Sequence, residues 1–173
     1  GVDGNDDCAY GAADLTVRKA TLTATADAQA KVYGAANEPL TCQYSGWMNG
    51  DDAGDLSTAP AASTTVTLLT PVGVHEDAIT VSGGVDENYD FAYVAADFTV
   101  TKATLTVTAD AQTKVYGAAN EPLTFQYSGF QNTDGADDLT TKPTADTAVD
   151  QTTPVGVHED AITVGGGVDE IYD

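Results

Sequence analysis

The chain of 173 residues contains 27 acidic and 6 basic residues, which gives a formal net charge of −21 at pH 7. A protein this acidic repels nucleic acid and anionic membrane surfaces, so neither is an expected partner. The sequence has no run of about 18 apolar residues and therefore predicts no insertion into a membrane. Scarce Lys beside abundant Thr, Ala, Asp, Gly and Val is typical of an exported surface protein rather than a cytosolic enzyme.

The sequence contains a tandem repeat with a period of 83 residues. Residues 19–90 align with residues 102–173 without insertion or deletion, and 54 of the 72 aligned positions are identical. A fixed period of this kind indicates an array of small domains. We predict three segments: a tail strand of a preceding repeat at 1–18, module 1 at 19–101, and module 2, without its last strand, at 102–173.

Each unit shows alternation of apolar and polar residues with period two, and helical periodicity is absent. Turn residues such as Gly, Pro, Asn and Asp separate the alternating runs. The pattern predicts an all-β fold, in which only residues 51–56 and their copy 134–139 could form a short helix. In module 1 we predict strands at 21–26, 40–45, 64–69, 78–82, 91–94 and 97–101.

The repeats are joined without a flexible linker. The strand that ends at Thr101 is followed, after the single residue Lys102, by the first strand of the next unit. A junction this short restricts bending between modules, so we expect a stiff rod.

Five motifs recur in the same order along the chain. They are Lys31-Val-Tyr-Gly-Ala-Ala-Asn-Glu-Pro-Leu-Thr, Tyr127-Ser-Gly-Phe, Thr70-Pro-Val-Gly, Ile79-Thr-Val-Ser-Gly-Gly and Thr99-Val-Thr-Lys-Ala. In this order they resemble the MBG (YGX-type) repeats, which occur in tandem in large bacterial surface proteins and adhesins. The resemblance covers nearly the whole chain and departs from the family at His75-Glu-Asp, where Tyr-Pro is common.

This resemblance implies a small β-rich extracellular module at the cell surface, either β-grasp-like or immunoglobulin-like in shape. Such modules are used in stalks and adhesive fibres. The resemblance also implies surface glycans or mucin as alternative partners, without a residue-level motif that identifies a binding site.

The two ends of the sequence are complementary. Residues 2–17 match residues 85–100, whereas module 2 stops before the residues that would match 91–101. Residues 8–17 of one copy could therefore complete module 2 of another copy by strand addition. Repeated head to tail, this contact need not close and grows a filament. The alternative is that the sequence is a fragment of a longer array. The side chains expected to enter the acceptor are Cys8, Tyr10, Leu15 and Val17.

Cys8 and Cys42 occupy the repeat positions of Phe91 and Phe125. Because both positions change from Phe to Cys together, we predict that they touch across a repeat junction and form a disulfide. A loop of this length would stabilise the fold by roughly 3–4 kcal/mol. Two buried thiols, or a bridge between chains, are the alternatives.

Acidic residues cluster on two Gly-bearing turns. Carboxylate and carbonyl oxygens in such turns are ligands that Ca²⁺ takes, although no register matches a known calcium loop. Calcium is therefore a candidate ligand, no cofactor is required, and solvated turns are the alternative. The carboxylates concerned are Asp51, Asp52, Asp55, Asp134, Asp137 and Asp138.

Other side chains suggest binding or catalysis only weakly. His75 and His158 each precede Glu-Asp and could bind Zn²⁺, or could be exposed strand-edge residues. The aromatic residues could form a sugar-stacking platform or the core. No nucleophile elbow or phosphate loop is recognisable, so we expect no enzyme. The aromatic residues concerned are Tyr33, Tyr44, Trp47, Tyr89, Tyr93, Tyr116, Tyr127, Phe130 and Tyr172.

The sequence thus predicts a structural subunit of an extracellular fibre or adhesin stalk, joined head to tail to other copies by β-strand addition. The alternative function is a glycan- or mucin-binding adhesin module.

Overall fold

The structure, a computed structural model, describes residues 11–173. Those residues form eleven strands joined by turns, and they contain no helix. The all-β prediction is confirmed. A helix long and apolar enough to cross a membrane is accordingly not found in this part of the chain.

Module 1 consists of seven strands in two sheets. One sheet has the strand order β3-β1-β6, and the other has the order β2-β7-β5-β4. The strands are β1 (Ala20–Ala26), β2 (Gln29–Val32), β3 (Cys42–Ser45), β4 (Ala61–Thr64), β5 (Gly73–Ser82), β6 (Tyr89–Val94) and β7 (Ala96–Thr101).

The two sheets of module 1 enclose one core. Leu22 and Ala24 on β1 are completely buried, and they alternate with exposed or half-buried Thr residues. The other sheet contributes Ile79 at 0% exposure and Phe98 and Val100 at 1% each. Buried side chains from both sheets belong to one contiguous cluster. Module 1 is therefore a sandwich of two β-sheets.

The chain changes sheet twice in the same way. β1 leads into β2 of the other sheet through two residues, and β6 leads into β7 through Ala95 alone. β1 pairs with β6, and β2 pairs with β7, both in parallel. The first two strands of module 1 are thus held beside its last two strands, one pair in each sheet.

Module 2 contains a reduced version of this arrangement. Its strands pair as β8-β9 and β10-β11. By the 83-residue offset they correspond to β1, β3, β4 and the last part of β5. The counterparts of buried Leu22 and Ile79 are Leu105 and Ile162, which are only half-buried. The strands are β8 (Thr106–Ala109), β9 (Phe125–Ser128), β10 (Thr144–Thr147) and β11 (Ile162–Gly165).

Some predicted elements differ from the observed ones. The expected strand at 64–69 is wrong, because β4 ends at Thr64 and a turn closes with the backbone N–H of Thr70 bonded to the carbonyl of Thr67. The segments 51–56 and 134–139 form turns instead of short helices. β2 was not predicted, because Lys31 interrupts its apolar alternation although the residue is buried.

Phe98 and Leu15 are equivalent repeat positions with opposite exposure, 1% and 91%. Replacement of Phe98 by Ala should lower the free energy of unfolding by roughly 3–5 kcal/mol, because it leaves a cavity between the sheets. Leu15→Ala should change it by at most about 0.5 kcal/mol in dilute protein. Urea denaturation of both variants measures the difference, and equal effects would contradict this description of the core.

Candidate functional site

β7 is an inner strand of the four-stranded sheet. It pairs with β2 on one side and β5 on the other, so its backbone joins two strands that do not pair with each other. Its Phe98 and Val100 are two of the four largest fully buried side chains. The carboxylate of Asp97 accepts a hydrogen bond of 2.9 Å from the backbone N–H of Asp77, at the irregular point of β5. β7 therefore supplies backbone pairing, core volume and a specific polar contact.

In module 2, none of the described residues fills the position of β7. Residues 112–115 correspond to β2 and residues 156–161 to the first part of β5, and neither segment forms a strand. Val115 is 77% exposed and Val157 is 89% exposed. We call the region between these two segments the acceptor slot. Its backbone edges pair with no strand of the chain between residues 11 and 173.

Two local features of the border of the acceptor slot are the same as in the complete module. His158 donates a hydrogen bond from Nε2 to the carbonyl of Pro154 at 2.9 Å, as His75 does to Pro71 at the same distance. Asp160 has a φ of 52°, close to the 51° of its counterpart in module 1. The local turns of module 2 thus form without a strand in the slot. Each imidazole is thus bonded to the backbone carbonyl four residues earlier in the chain.

Residues 11–18 are a second copy of the β7 region. They form no strand, and all of them are exposed. Leu15 and Val17, at 91% and 88% exposure, occupy the repeat positions of Phe98 and Val100. The structure does not bring them into the acceptor slot of their own chain. Cys8 and Tyr10, which were predicted to enter an acceptor with them, lie outside the described residues.

The two modules meet in a close junction. The rings of Tyr33 and Tyr172 contact each other edge to face, with centroids 6.2 Å apart, and each residue is 5% exposed. Gln131 covers Gly34, since a Cβ added to this glycine would lie 2.5 Å from the Cβ of Gln131. Asn132 donates a side-chain hydrogen bond of 3.4 Å to a carbonyl of module 1. The core of module 1 therefore continues into the base of module 2.

Lys102 fixes the start of module 2 to its own base. Its Nζ donates a hydrogen bond of 2.7 Å to the carbonyl of Asp169, and Lys19 makes the same contact with Asp86 in module 1. The next residue, Ala103, is 1% exposed and its N–H donates to the carbonyl of Ile171. These contacts support the expectation of a stiff connection.

The Lys-Val-Tyr-Gly motif has a structural role that sequence reasoning missed. Lys31 is buried, and its Nζ donates hydrogen bonds to Asn37 Oδ1 at 2.9 Å and to the carbonyl of Thr67 at 2.6 Å. Burial lowers its pKa. In module 2, Lys114 makes the equivalent 2.9 Å contact with Asn120. The joint recurrence of the Lys and Asn six residues apart was the available signal.

The acidic turns are internally bonded. In module 1, Asp51 accepts a 2.8 Å hydrogen bond from the hydroxyl of Tyr89, and Asp52 accepts one of 2.7 Å from the N–H of Gly54. Asp55 accepts a bond of 2.9 Å from the N–H of Asp52. Each of these carboxylates therefore accepts a hydrogen bond, either from a backbone N–H of its own turn or from the hydroxyl of Tyr89.

The copy in module 2 behaves similarly. Asp134 accepts from the Tyr172 hydroxyl at 2.6 Å, Asp138 accepts from a backbone N–H at 2.8 Å, and Asp137 pairs with Lys142. No group of three or more His, Cys, Asp or Glu suited to a metal ion occurs between residues 11 and 173. The geometry gives the calcium prediction no support.

Most of the aromatic residues contact one another in a row that is repeated in both modules. Tyr44, Trp47 and Tyr89 have successive ring separations of 5.4 and 5.6 Å. In module 2, Tyr127, Phe130 and Tyr172 have separations of 5.3 and 5.5 Å. Edge-to-face and tilted pairs of this kind stabilise packing, and all six residues are buried or half-buried.

Tyr93 is different, because it is 41% exposed and stacks on Phe91 at 6.1 Å with 5° between the ring planes. The two rings border a depression of about 290 Å³ whose wall also includes Lys19, Asp86 and Asp90. The exposed face of Tyr93 is thus part of a shallow concave surface that also carries charged groups.

The repeat positions of the two cysteines lie in different modules. On β6, Phe91 lies opposite Leu22 and stacks on Tyr93. On β9, Phe125 lies opposite Ala109 and contacts Tyr127. None of these contacts joins the two positions, and their proximity across the junction stays a prediction. Cys42 forms no disulfide with any residue that the structure describes. Cys8 lies outside those residues, so the disulfide itself stays a prediction.

Tyr172 provides a test of the junction through pH. Burial, followed by its hydrogen bond to the Asp134 carboxylate, raises the pKa of Tyr172 to about 12. In the unfolded chain the hydroxyl of this tyrosine ionises near its ordinary pKa of about 10. The free energy of unfolding should therefore fall as pH rises from about 10 to 12. Below about pH 10 the stabilising contribution of the neutral Tyr172 hydroxyl is complete.

Tyr172→Phe should make this decline shallower, as measured by denaturant unfolding at several pH values. Tyr116→Phe, at a position 63% exposed, should leave the slope unchanged, and equal slopes for both variants would contradict the assignment.

A family model described as MBG domain (YGX type) matches residues 22–99 and 105–173. The two matched segments correspond to modules 1 and 2, and this family implies a repeat module of surface proteins. No curated protein matches the chain, and no solved structure does. The chain belongs to the MBG domain family of the YGX type and carries two tandem copies of that domain.

Proposed function

We propose that this protein is a non-enzymatic structural subunit of an extracellular, cell-surface fibre or adhesin stalk, in which copies join head to tail by strand addition. One observation carries the proposal. Phe98 and Val100 are 1% exposed in the complete module, whereas their repeat equivalents Leu15 and Val17 are 91% and 88% exposed. The acceptor slot of module 2 matches this exposed segment.

The 83-residue offset specifies how the segment would pair. Lys31 pairs in parallel with Val100, so Val17 would lie opposite Lys114. On the other edge, His75 pairs with Phe98, so Leu15 would lie opposite His158. Main-chain hydrogen bonds on both edges hold the strand, and alternate side chains fill the core.

A polar contact selects the same register. In module 1, Asp97 accepts a hydrogen bond from the backbone N–H of Asp77. The repeat offset assigns Asp14 to the position of Asp97 and Asp160 to that of Asp77. A slip by one residue would turn Leu15 and Val17 away from the core and would lose this contact.

The contact is heterologous, because the donor segment and the acceptor slot are different surfaces of the molecule. A heterologous contact grows linearly unless its rotation closes a ring. The formal charge of −21 makes copies repel one another, and salt screens this repulsion. Assembly should therefore increase with ionic strength.

Leu15→Asp/Val17→Asp tests the proposal in the full chain. Burial of two large apolar side chains contributes roughly 3–6 kcal/mol, so their loss should weaken association by at least about 100-fold. Light scattering and electron microscopy across protein and salt concentrations measure the assembly. The matched control is Val85→Asp/Val168→Asp, which adds the same charge at positions 60% and 62% exposed.

Two results would overturn the proposal. In one, the wild-type chain keeps the monomer mass of 17.7 kDa at all concentrations and salt levels. In the other, both double variants assemble equally well.

A second candidate function is glycan binding, favoured by the depression beside Phe91 and Tyr93. A half-exposed ring stacked on a second ring, with Lys19 and Asp86 in the same wall, offers both a stacking face and polar groups to a sugar.

Under this alternative, wild-type protein should retain sugars on a glycan array, and Tyr93→Ala should reduce retention by about tenfold or more, the effect of losing one well-packed ring. Tyr116→Ala is the control for an exposed tyrosine outside the depression. Equal retention by both variants, or no retention by the wild type, would rule out this site.

A further inference from the structure

We propose that the end of module 2 formed by Tyr116, Gly117 and Gln151 is a docking surface for the turn at Met48 and Asn49 of a second copy. The contact would repeat between copies the junction that already joins modules 1 and 2. This inference rests on the proposed head-to-tail function and adds a second interface to the donated strand.

The receiving surface is the equivalent of the one used in module 1. Tyr33 is 5% exposed in the internal junction, and its counterpart Tyr116 is 63% exposed. Gly34 and Gly117 have φ values of 80° and 83°, so the turn is the same in both modules. Gly34 is covered by Gln131, whereas no atom of residues 11–173 lies within 4 Å of a Cβ added to Gly117. The surface is therefore already formed, and no residue that the structure describes covers Gly117.

The docking turn at Met48 and Asn49 is also already formed in the single chain. Gln131 donates its N–H to the hydroxyl of Tyr172 at 2.9 Å, and Met48 donates to the hydroxyl of Tyr89 at 2.9 Å. The following residue in each turn is an asparagine with positive φ, 53° in module 2 and 57° in module 1. Met48 is 51% exposed. The turn of module 1 thus has the shape that covers Gly34 in the internal junction.

The residues that differ between the two repeats at this contact are compatible with packing of Met48 on the open surface. Met48 takes the place of Gln131, and a flexible thioether packs favourably against an aromatic ring such as that of Tyr116. Gln151 stands at the repeat position of Leu68, whose backbone carbonyl accepts the hydrogen bond from Asn132. Because every residue has a backbone carbonyl, Gln151 could accept the same bond from Asn49 of a second copy.

The donated strand would bring the two surfaces together. Only Lys19 separates Arg18, at the end of the donor segment, from Ala20, the first residue of β1. In the internal junction only Lys102 separates β7 from Ala103. Once residues 11–18 occupy the acceptor slot, the turn at Met48 has little freedom to be elsewhere. A short stiff connection of this kind gives the second contact a high effective concentration.

Gly117→Asn tests the docking surface. Asparagine tolerates positive φ, and no residue from 11 to 173 occupies the space beside Gly117, so the single chain should fold normally. The added side chain occupies the place that Met48 would take and should weaken assembly by about tenfold or more. Gly166→Asn is the matched control, because Gly166 has a φ of 79° and also has no atom within 4 Å of an added Cβ.

A second pair of variants removes contact instead of adding bulk. Tyr116→Ser should weaken assembly similarly, and Val168→Ser, at a position 62% exposed, should not. Trp47, the only tryptophan, directly precedes Met48, so its fluorescence should shift to shorter wavelength as the wild-type protein assembles. Light scattering gives assembly in parallel.

The outcomes separate the two proposals. If the wild type assembles and Leu15→Asp/Val17→Asp does not, but Gly117→Asn and Tyr116→Ser assemble like their controls, strand addition stands and the docking surface is overturned. A wild type that never assembles overturns both. Selective weakening by Gly117→Asn and Tyr116→Ser supports the docking surface.

Discussion

The hydrogen-bonding of β7 to β2 on one side and β5 on the other determines how complete each module is. In module 1 this strand closes the sheet and contributes Phe98 and Val100 to the core. Module 2 has nearly the same sequence, yet its equivalent of β2 is not a strand and only the last part of its β5 equivalent, β11, is formed. The difference between the modules thus follows from the pairing that β6 and β7 provide in module 1, because edge backbone without a partner gains nothing from an extended conformation.

Much of the fold could be predicted from the repeat and from alternation. Strands such as β1 and β7 alternate apolar and polar residues, and burial follows that pattern. β2 was not predicted because its buried residue is Lys31, whose ammonium group donates hydrogen bonds to Asn37 and to the carbonyl of Thr67. Residues 64–69 alternate like a strand, but they belong to the loop whose Thr67 carbonyl accepts the hydrogen bond from Lys31. Local pattern cannot reveal a partner that is distant in sequence.

The candidate site was predictable where it depends on repeat position alone. The offset of 83 residues assigns Leu15 and Val17 to the places of Phe98 and Val100 without any coordinates. The calcium turns and the cysteine positions depended instead on which side chains approach one another. Tyr89 reaches Asp51 from another strand, a contact that has no signal in spacing or composition.

The parallel pairing of β1 with β6 and of β2 with β7 has a mechanical consequence. The chain enters module 1 at the start of β1 and leaves it at the end of β7. Tension applied through Lys19 and Lys102 pulls these paired strands past each other along their length. Hydrogen bonds loaded in shear must break together, whereas those of an unzipping hairpin break one after another. The topology of the module therefore resists extension when it is pulled from its two ends.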